Sequence, residues 1–185
     1  MTKRKGFYGP YSTRYYRIHV DLVSSLKKQG HSVTVLMTKA ATAFIQPLTL
    51  QVLSQNTVHL DVMHEPFPDQ VNHIQIGKET DLFIVVPATA NTIAKLAHGF
   101  ADNMVTATAL ALPHFVPKLL APAMNTKMYD HPATQANLKT LEDYGYTIIS
   151  PKDSLLACGD TGRGALADLE TILLEIKDKI HEQTL

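Results

Sequence analysis

The sequence predicts an α/β fold: a doubly wound, three-layer sandwich in which helices cover both faces of a parallel sheet of about six strands. Two observations carry this. From residue 30 onward short, β-branched apolar runs alternate with segments of helical periodicity, the rhythm of βαβ units. The helical segments stop at Gly30, Gly99, Pro113 and Gly145, which are ordinary helix terminators. A chain of 185 residues that is 45% hydrophobic is long enough to bury one sizeable core, so residues 1–185 are expected to form a single domain.

The strand candidates, in order, are residues 32–37 (SVTVLM), 57–62 (TVHLDV), 81–86 (DLFIVV), 118–121 (KLLA) and 146–150 (YTIIS). Helices are expected over 21–29, 92–98, 102–112, 132–144 and 168–182. In the last of these Leu169, Ile172, Leu173, Ile176 and Ile180 share one face, which marks a packing helix. Residues 1–20 stand apart. A doubly wound domain normally opens with a buried strand and a glycine turn, but here tyrosines are interleaved with arginines and Gly9-Pro10 breaks the run. Any strand in this segment would be built from poor strand formers.

Composition excludes several classes. Basic and acidic side chains number 17 each, so the overall balance points to neither nucleic acid nor an anionic membrane. Five of the basic residues fall in 1–20 without a carboxylate, but no second basic aromatic patch accompanies them. No apolar run reaches the roughly 20 residues of a membrane span, and the basic N-terminus lacks a secretory core. The lone Cys158 excludes an internal disulfide and suits a reducing, cytoplasmic compartment. His59, Asp61 and His64 lie close together without metal-ligand spacing, so no metal is expected.

In open α/β sheets ligands sit beyond the carboxyl ends of the strands. After residues 81–86 comes PATANT (87–92), whose backbone N–H groups, hydroxyls and Asn amide at a helix start suit an anionic or heteroaromatic ligand; a plain N-cap is the competing reading. After 118–121 comes PAMNTKMY (122–129). After 146–150 comes a glycine-rich loop, LACGDTGRG (156–164), with the only thiol.

Taken in order, and preceded by Asn72-His73-Ile74, with MTKAA (37–41) and Ala101-Asp102-Asn103, these strings resemble the homo-oligomeric flavin-containing cysteine decarboxylases over about nine-tenths of the chain. The resemblance implies a Rossmann-like or flavodoxin-like fold, FMN as cofactor, and decarboxylation of a C-terminal cysteine, most fully matching members that convert 4′-phospho-N-pantothenoylcysteine to 4′-phosphopantetheine in coenzyme A synthesis. His73 is implied as the base for the substrate thiol, a role suited to imidazole. Asn125 is implied as the carboxylate holder and Cys158 as a late proton donor. Thr38, Phe44, Thr89, Ala90, Asn91 and Thr92 would contact FMN, with Asp102 and Asn103 nearby; Ala123, Met124, Asn125 and Met128 would contact substrate. A homotrimer, or a higher assembly of trimers, and a separate phosphopantothenate-cysteine ligase are the implied partners. Residues 6–19 replace the family's first strand and glycine-serine phosphate loop, and Gly164-Ala165-Leu166 stands where Gly-Arg-Met is usual. A peptidyl-cysteine decarboxylase of lantibiotic maturation and a non-catalytic regulatory relative remain open beside this reading, and a flavin prenyltransferase leaves the cysteine loop without a role.

Overall fold

The computed structural model describes residues 11–66, 68–155 and 161–182. The first described element is a helix. Helix α1 (Tyr11–Lys28) begins some ten residues earlier than expected, because nothing between Tyr11 and Val20 interrupts it. Ile18, Leu22 and Leu26 recur at i, i+4 and i+8 and pack on one core cluster, while Val23 enters another. The stretch from Tyr11 to Val20, which carries no strand pattern in the sequence, is thus helical, and residues 1–10 lie outside the described part.

Among the described residues five parallel strands follow, against the about six expected, and they fall into two sheets. β1 (Val35–Leu36) pairs with β2 (Val58–His59), and β3 (Phe83–Ala88), β4 (Lys118–Pro122) and β5 (Tyr146–Ile148) pair in that order. All these pairings are parallel. Between the strands run α2 (Pro47–Ser54), α3 (Asn72–Lys78), α4 (Ala90–Ala97), α5 (Met104–Ala111), the single turn α6 (Thr126–Tyr129) and α7 (Pro132–Asp143). The chain then forms an antiparallel hairpin, β6 (Lys152–Leu155) and β7 (Thr161–Ala165), before α8 (Leu169–Glu182). The hairpin replaces what the sequence presents as a glycine-rich loop.

Alternation along the strands builds the layers. On β4, Leu120 faces a cluster with Ile93 and Leu96 of α4 and Leu138 and Leu141 of α7, whereas Leu119 and Ala121 face Leu22 of α1 and Ile172 and Ile176 of α8. Phe83 and Val85 of β3 join the first cluster; Ile84 and Val86 join the second. Helices thus cover both faces, as the doubly wound reading requires. Among the described residues no helix is long and apolar enough to cross a membrane.

Candidate active site

The three sequence segments that carry the chemistry are stitched together by two consecutive backbone amides. Ala123 N–H donates to the Ala88 carbonyl at 3.0 Å, and Met124 N–H donates to the Gly164 carbonyl at 2.9 Å. PATANT, PAMNTKMY and the second half of the glycine-rich string therefore meet at the carboxyl end of β3 and β4. Glycine is required at the second joint. A Cβ on Gly164 would lie 2.4 Å from the Met124 carbonyl oxygen, and the residue sits at φ +138°. A Cβ on Gly162 would fall 2.9 Å from Thr126 Oγ1. The hairpin is clamped this closely to the Asn125 segment; residues 156–160, which follow β6 in sequence and include Cys158, lie outside the described residues.

Two helix starts hold the polar side chains. Thr89 caps α4: its Oγ1 accepts from the Thr92 N–H at 3.3 Å and lies 3.2 Å from Thr92 Oγ1. The plain N-cap reading is thus realised, and the same turn displays Ala90 and Asn91 at the first positions of the helix. Asn125 caps α6, its Oδ1 accepting from Lys127 N–H at 2.9 Å. That contact fixes the plane of the carboxamide, whose NH₂ half is the donor suited to a carboxylate. Asn103 caps α5 through Val105 and Thr106 N–H at 3.1 and 3.2 Å, and its Nδ2 donates to Asp102 at 2.9 Å. Lys95 hydrogen-bonds and ion-pairs with Asp102 and is the main cause holding that carboxyl below its usual range.

A cavity of about 1390 Å³ opens at this edge, lined by Thr38, Phe44, Thr89, Asn91, Thr92, Lys95, Asp102, Asn103, Ala123, Met124 and Asn125. Of the expected cofactor contacts, only Ala90 does not line it. Thr38 Oγ1 accepts from Ala41 N–H at 3.2 Å, shaping the turn that carries Phe44 to the mouth, where 67% of its surface is exposed. Apolar Leu36, Val85 and Val105 floor this end of the cavity. Hydroxyl and amide groups around an apolar slot are a donor set that fits a flat heteroaromatic ring with polar edges. Two expected residues are elsewhere. Met128 is half exposed on α6 outside the cavity. His73 lies in the first turn of α3, a helix that packs on α5 with Gly77 against Ala111; a Cβ there would meet the Ala111 carbonyl oxygen at 3.0 Å. His73 Nδ1 is buried with no hydrogen-bond partner among the described residues.

The sequence reading missed Lys95 and the clamp by Gly162 and Gly164. Lys95 could have been found from its place one turn along the same helix as Asn91. The clamp could not, because close approach to residues some 40 positions upstream leaves no local pattern. His59 was weighed only as a metal ligand. Its Nδ1 instead accepts from Asn72 Nδ2 at 2.9 Å, and Asn72 N–H donates to Glu65 at 2.7 Å, anchoring the start of the helix that holds His73.

Comparison with known proteins places this architecture. A family model described as Flavoprotein matches residues 12–181, and the chain belongs to that family. Among its relatives, a probable phosphopantothenoylcysteine decarboxylase of Streptococcus mutans is 59% identical over 160 residues, covering 86% of this chain and 89% of the relative. The coenzyme A biosynthesis bifunctional protein CoaBC of Bacillus subtilis is 44% identical over 163 residues; the match covers 88% of this chain but only 40% of that longer protein. A solved structure of a cysteine-to-serine mutant of PPC decarboxylase complexed with pantothenoylaminoethenethiol superposes with a TM-score of 0.78 at 30% identity, covering 88% of this chain and 91% of the other.

Proposed function

We propose that this chain is an FMN-dependent decarboxylase that converts 4′-phospho-N-pantothenoylcysteine to 4′-phosphopantetheine in coenzyme A synthesis. The observation that carries the reading is the joining of the PATANT, PAMNTKMY and glycine-rich segments through Ala123 and Met124 at the rim of one cavity. The 59% identity to a probable phosphopantothenoylcysteine decarboxylase supplies the substrate class.

Thr38, Thr89, Asn91 and Thr92 would hold the polar edges of FMN, with the Ala90 N–H at the start of α4 and Phe44 closing over the mouth. When bound, the flavin supplies a two-electron oxidation at the cysteine sulfur and β-carbon and later returns the electrons. The protein's own groups do the rest. Ala123 and Met124 line the substrate channel, joined by Met128 if α6 is overlaid by substrate or by a neighbouring copy. Asn125 holds the carboxylate through a neutral donor, which lets CO₂ depart without breaking a salt bridge. His73 takes the thiol proton, and Cys158 returns a proton at the end.

His73 does not line the cavity of its own chain, so we assign it to the site of an adjacent copy, in a homotrimer or an assembly of trimers. A cytoplasmic setting and a separate phosphopantothenate-cysteine ligase complete the reading. The test is CO₂ release, with saturating FMN, from phosphopantothenoylcysteine against a peptide ending in cysteine. Turnover of the small substrate alone supports the proposal; turnover of the peptide alone overturns it in favour of a peptidyl-cysteine decarboxylase.

A further inference from the structure

Two buried polar atoms without a hydrogen-bond partner among the described residues sit on neighbouring helices: His73 Nδ1 on α3 and Thr108 Oγ1 on α5. The fold brings them to one level. Asn103, which caps α5, lines the cavity, and Asn72, which opens α3, bonds to His59 at the end of β2. Both helices thus start at the carboxyl edge and run back to feed β3 and β4, which are parallel strands. They are therefore parallel to each other, and they meet where a Cβ on Gly77 would lie 3.0 Å from the Ala111 carbonyl oxygen. Four residues back from that point stand His73 on one helix and Ala107 on the other, with Thr108 about 1.5 Å further along the axis. Ile76 marks the inner, cavity-lining side of α3, and Val105 and Ala109 mark the core side of α5. At about 100° per residue, His73 stands about 40° from Gly77 toward that inner side, and Thr108 about 60° from Ala111 toward its core side. Both side chains lean into the crevice beneath the helix contact.

Thr108 is 0% exposed, yet its hydroxyl does not follow the habit of helix threonines. Thr106 returns its hydroxyl to the Asn103 carbonyl and Thr140 to the Ala136 carbonyl, whereas Thr108 Oγ1 makes no such bond. Buried polar groups are paired as a rule, with protein or with a buried water. We infer that Thr108 is a positioning residue for His73: one buried water in the crevice accepts from His73 Nδ1–H and donates to Thr108 Oγ1, which leaves the imidazole lone pair on Nε2. Which ring nitrogen of a histidine carries the proton is set by the partner of the other. Nδ1 is sealed in the seam while the ring as a whole is only partly buried, so Nε2 is the nitrogen that can meet a substrate thiol. The inference rests on the proposed role of His73 as the base. Thr108 itself touches no reacting atom.

The test reads the ring directly. The full chain, FMN-bound and labelled with ¹⁵N and ¹³C in its histidines, is studied by NMR at about pH 8, where an ordinary imidazole is neutral. The His73 signals are identified by their loss in His73→Asn. In the wild type His73 is expected as the Nδ1–H tautomer. Thr108→Val keeps the branched shape and removes the hydroxyl, so the ratio of tautomers should shift toward Nε2–H at least about tenfold; Thr108→Ser, which keeps the hydroxyl, should hold the wild-type ratio. CO₂ release by Thr108→Val should fall at least about tenfold in kcat, with KM and FMN affinity little changed, and Thr108→Ser should restore it. An Nε2–H tautomer in the wild type, or one tautomer ratio shared by wild type and Thr108→Val, would overturn the inference; the second result would mean that Nδ1 takes its partner elsewhere, as from an adjacent copy. Because the tautomer is read without turnover, a wild-type chain that releases no CO₂ would count against the proposed reaction while the ring signals still decide the role of Thr108.

Discussion

The amide of Met124 donates to the carbonyl of Gly164 at 2.9 Å, while the Gly164 Cα comes so near that a Cβ would stand 2.4 Å from the Met124 oxygen. This one contact ties β7 of the hairpin to the backbone that positions Asn125. Gly164→Ala should therefore cost about 2 to 4 kcal/mol through overpacking and an unfavourable φ. It should also lower CO₂ release more than FMN binding, because the cofactor side of the cavity is built on other strands. Urea unfolding and FMN titration of the variant measure the two effects separately, and an unchanged unfolding midpoint would show that the hairpin is not clamped as described.

His73→Asn is expected to abolish CO₂ release, with a loss on the order of 100-fold or more, because the substrate thiol keeps its proton. Stability should hardly change, since Nδ1 makes no hydrogen bond among the described residues. Mixing this variant with Asn125→Ala tests whether the site is shared between copies. If the two residues come from different copies, hybrid trimers regain part of the activity, and no regain at any ratio speaks against a site formed between copies.

Cys158→Ser should allow CO₂ release while the oxidised enethiol accumulates, since only the last proton delivery is lost. Mass spectrometry of the quenched mixture distinguishes enethiol from reduced product. Reduced product at the normal rate would remove Cys158 from the mechanism.

Acid should loosen the start of the His73 helix. Burial, and secondarily His64, hold His59 below its ordinary 6.5, and its Nδ1 accepts from Asn72. The folded state therefore binds fewer protons than the unfolded state just below that value. Stability is complete above about pH 6.5 and is lost as pH falls toward the folded value, with a slope of at most about 1.4 kcal/mol per pH unit. Urea midpoints between about pH 5 and 8 should show this decline, and His59→Gln should flatten it.

Much of this was legible in the sequence, for reasons that particular residues make plain. Phe83, Ile84, Val85 and Val86 are β-branched or aromatic and bury on two faces, so a local run was enough to place their strand. Thr89, Asn103 and Asn125 proved to be helix caps because their short polar side chains reach the first free amides, a rule that acts over three residues. The hairpin was not legible. Gly162 and Gly164 read as a flexible loop, yet they are strand glycines made necessary by Thr126 and Met124, a contact between distant segments. The N-terminal region was half legible: residues 1–20 show no pattern of a buried strand, but the helix that begins at Tyr11 was not foreseen, because its interleaved tyrosines and arginines carry no clear apolar face. The position of His73, away from its own cavity, depends on how α3 packs on α5 and has no sequence signature.

The most direct measurement is the mass of the product formed from phosphopantothenoylcysteine by the purified chain at saturating FMN. Loss of one CO₂ with no other net change, yielding 4′-phosphopantetheine, is the outcome expected of a flavin that oxidises and then re-reduces its substrate. An unaltered substrate with wild-type chain that is folded and FMN-bound would contradict decarboxylation as the function of this site.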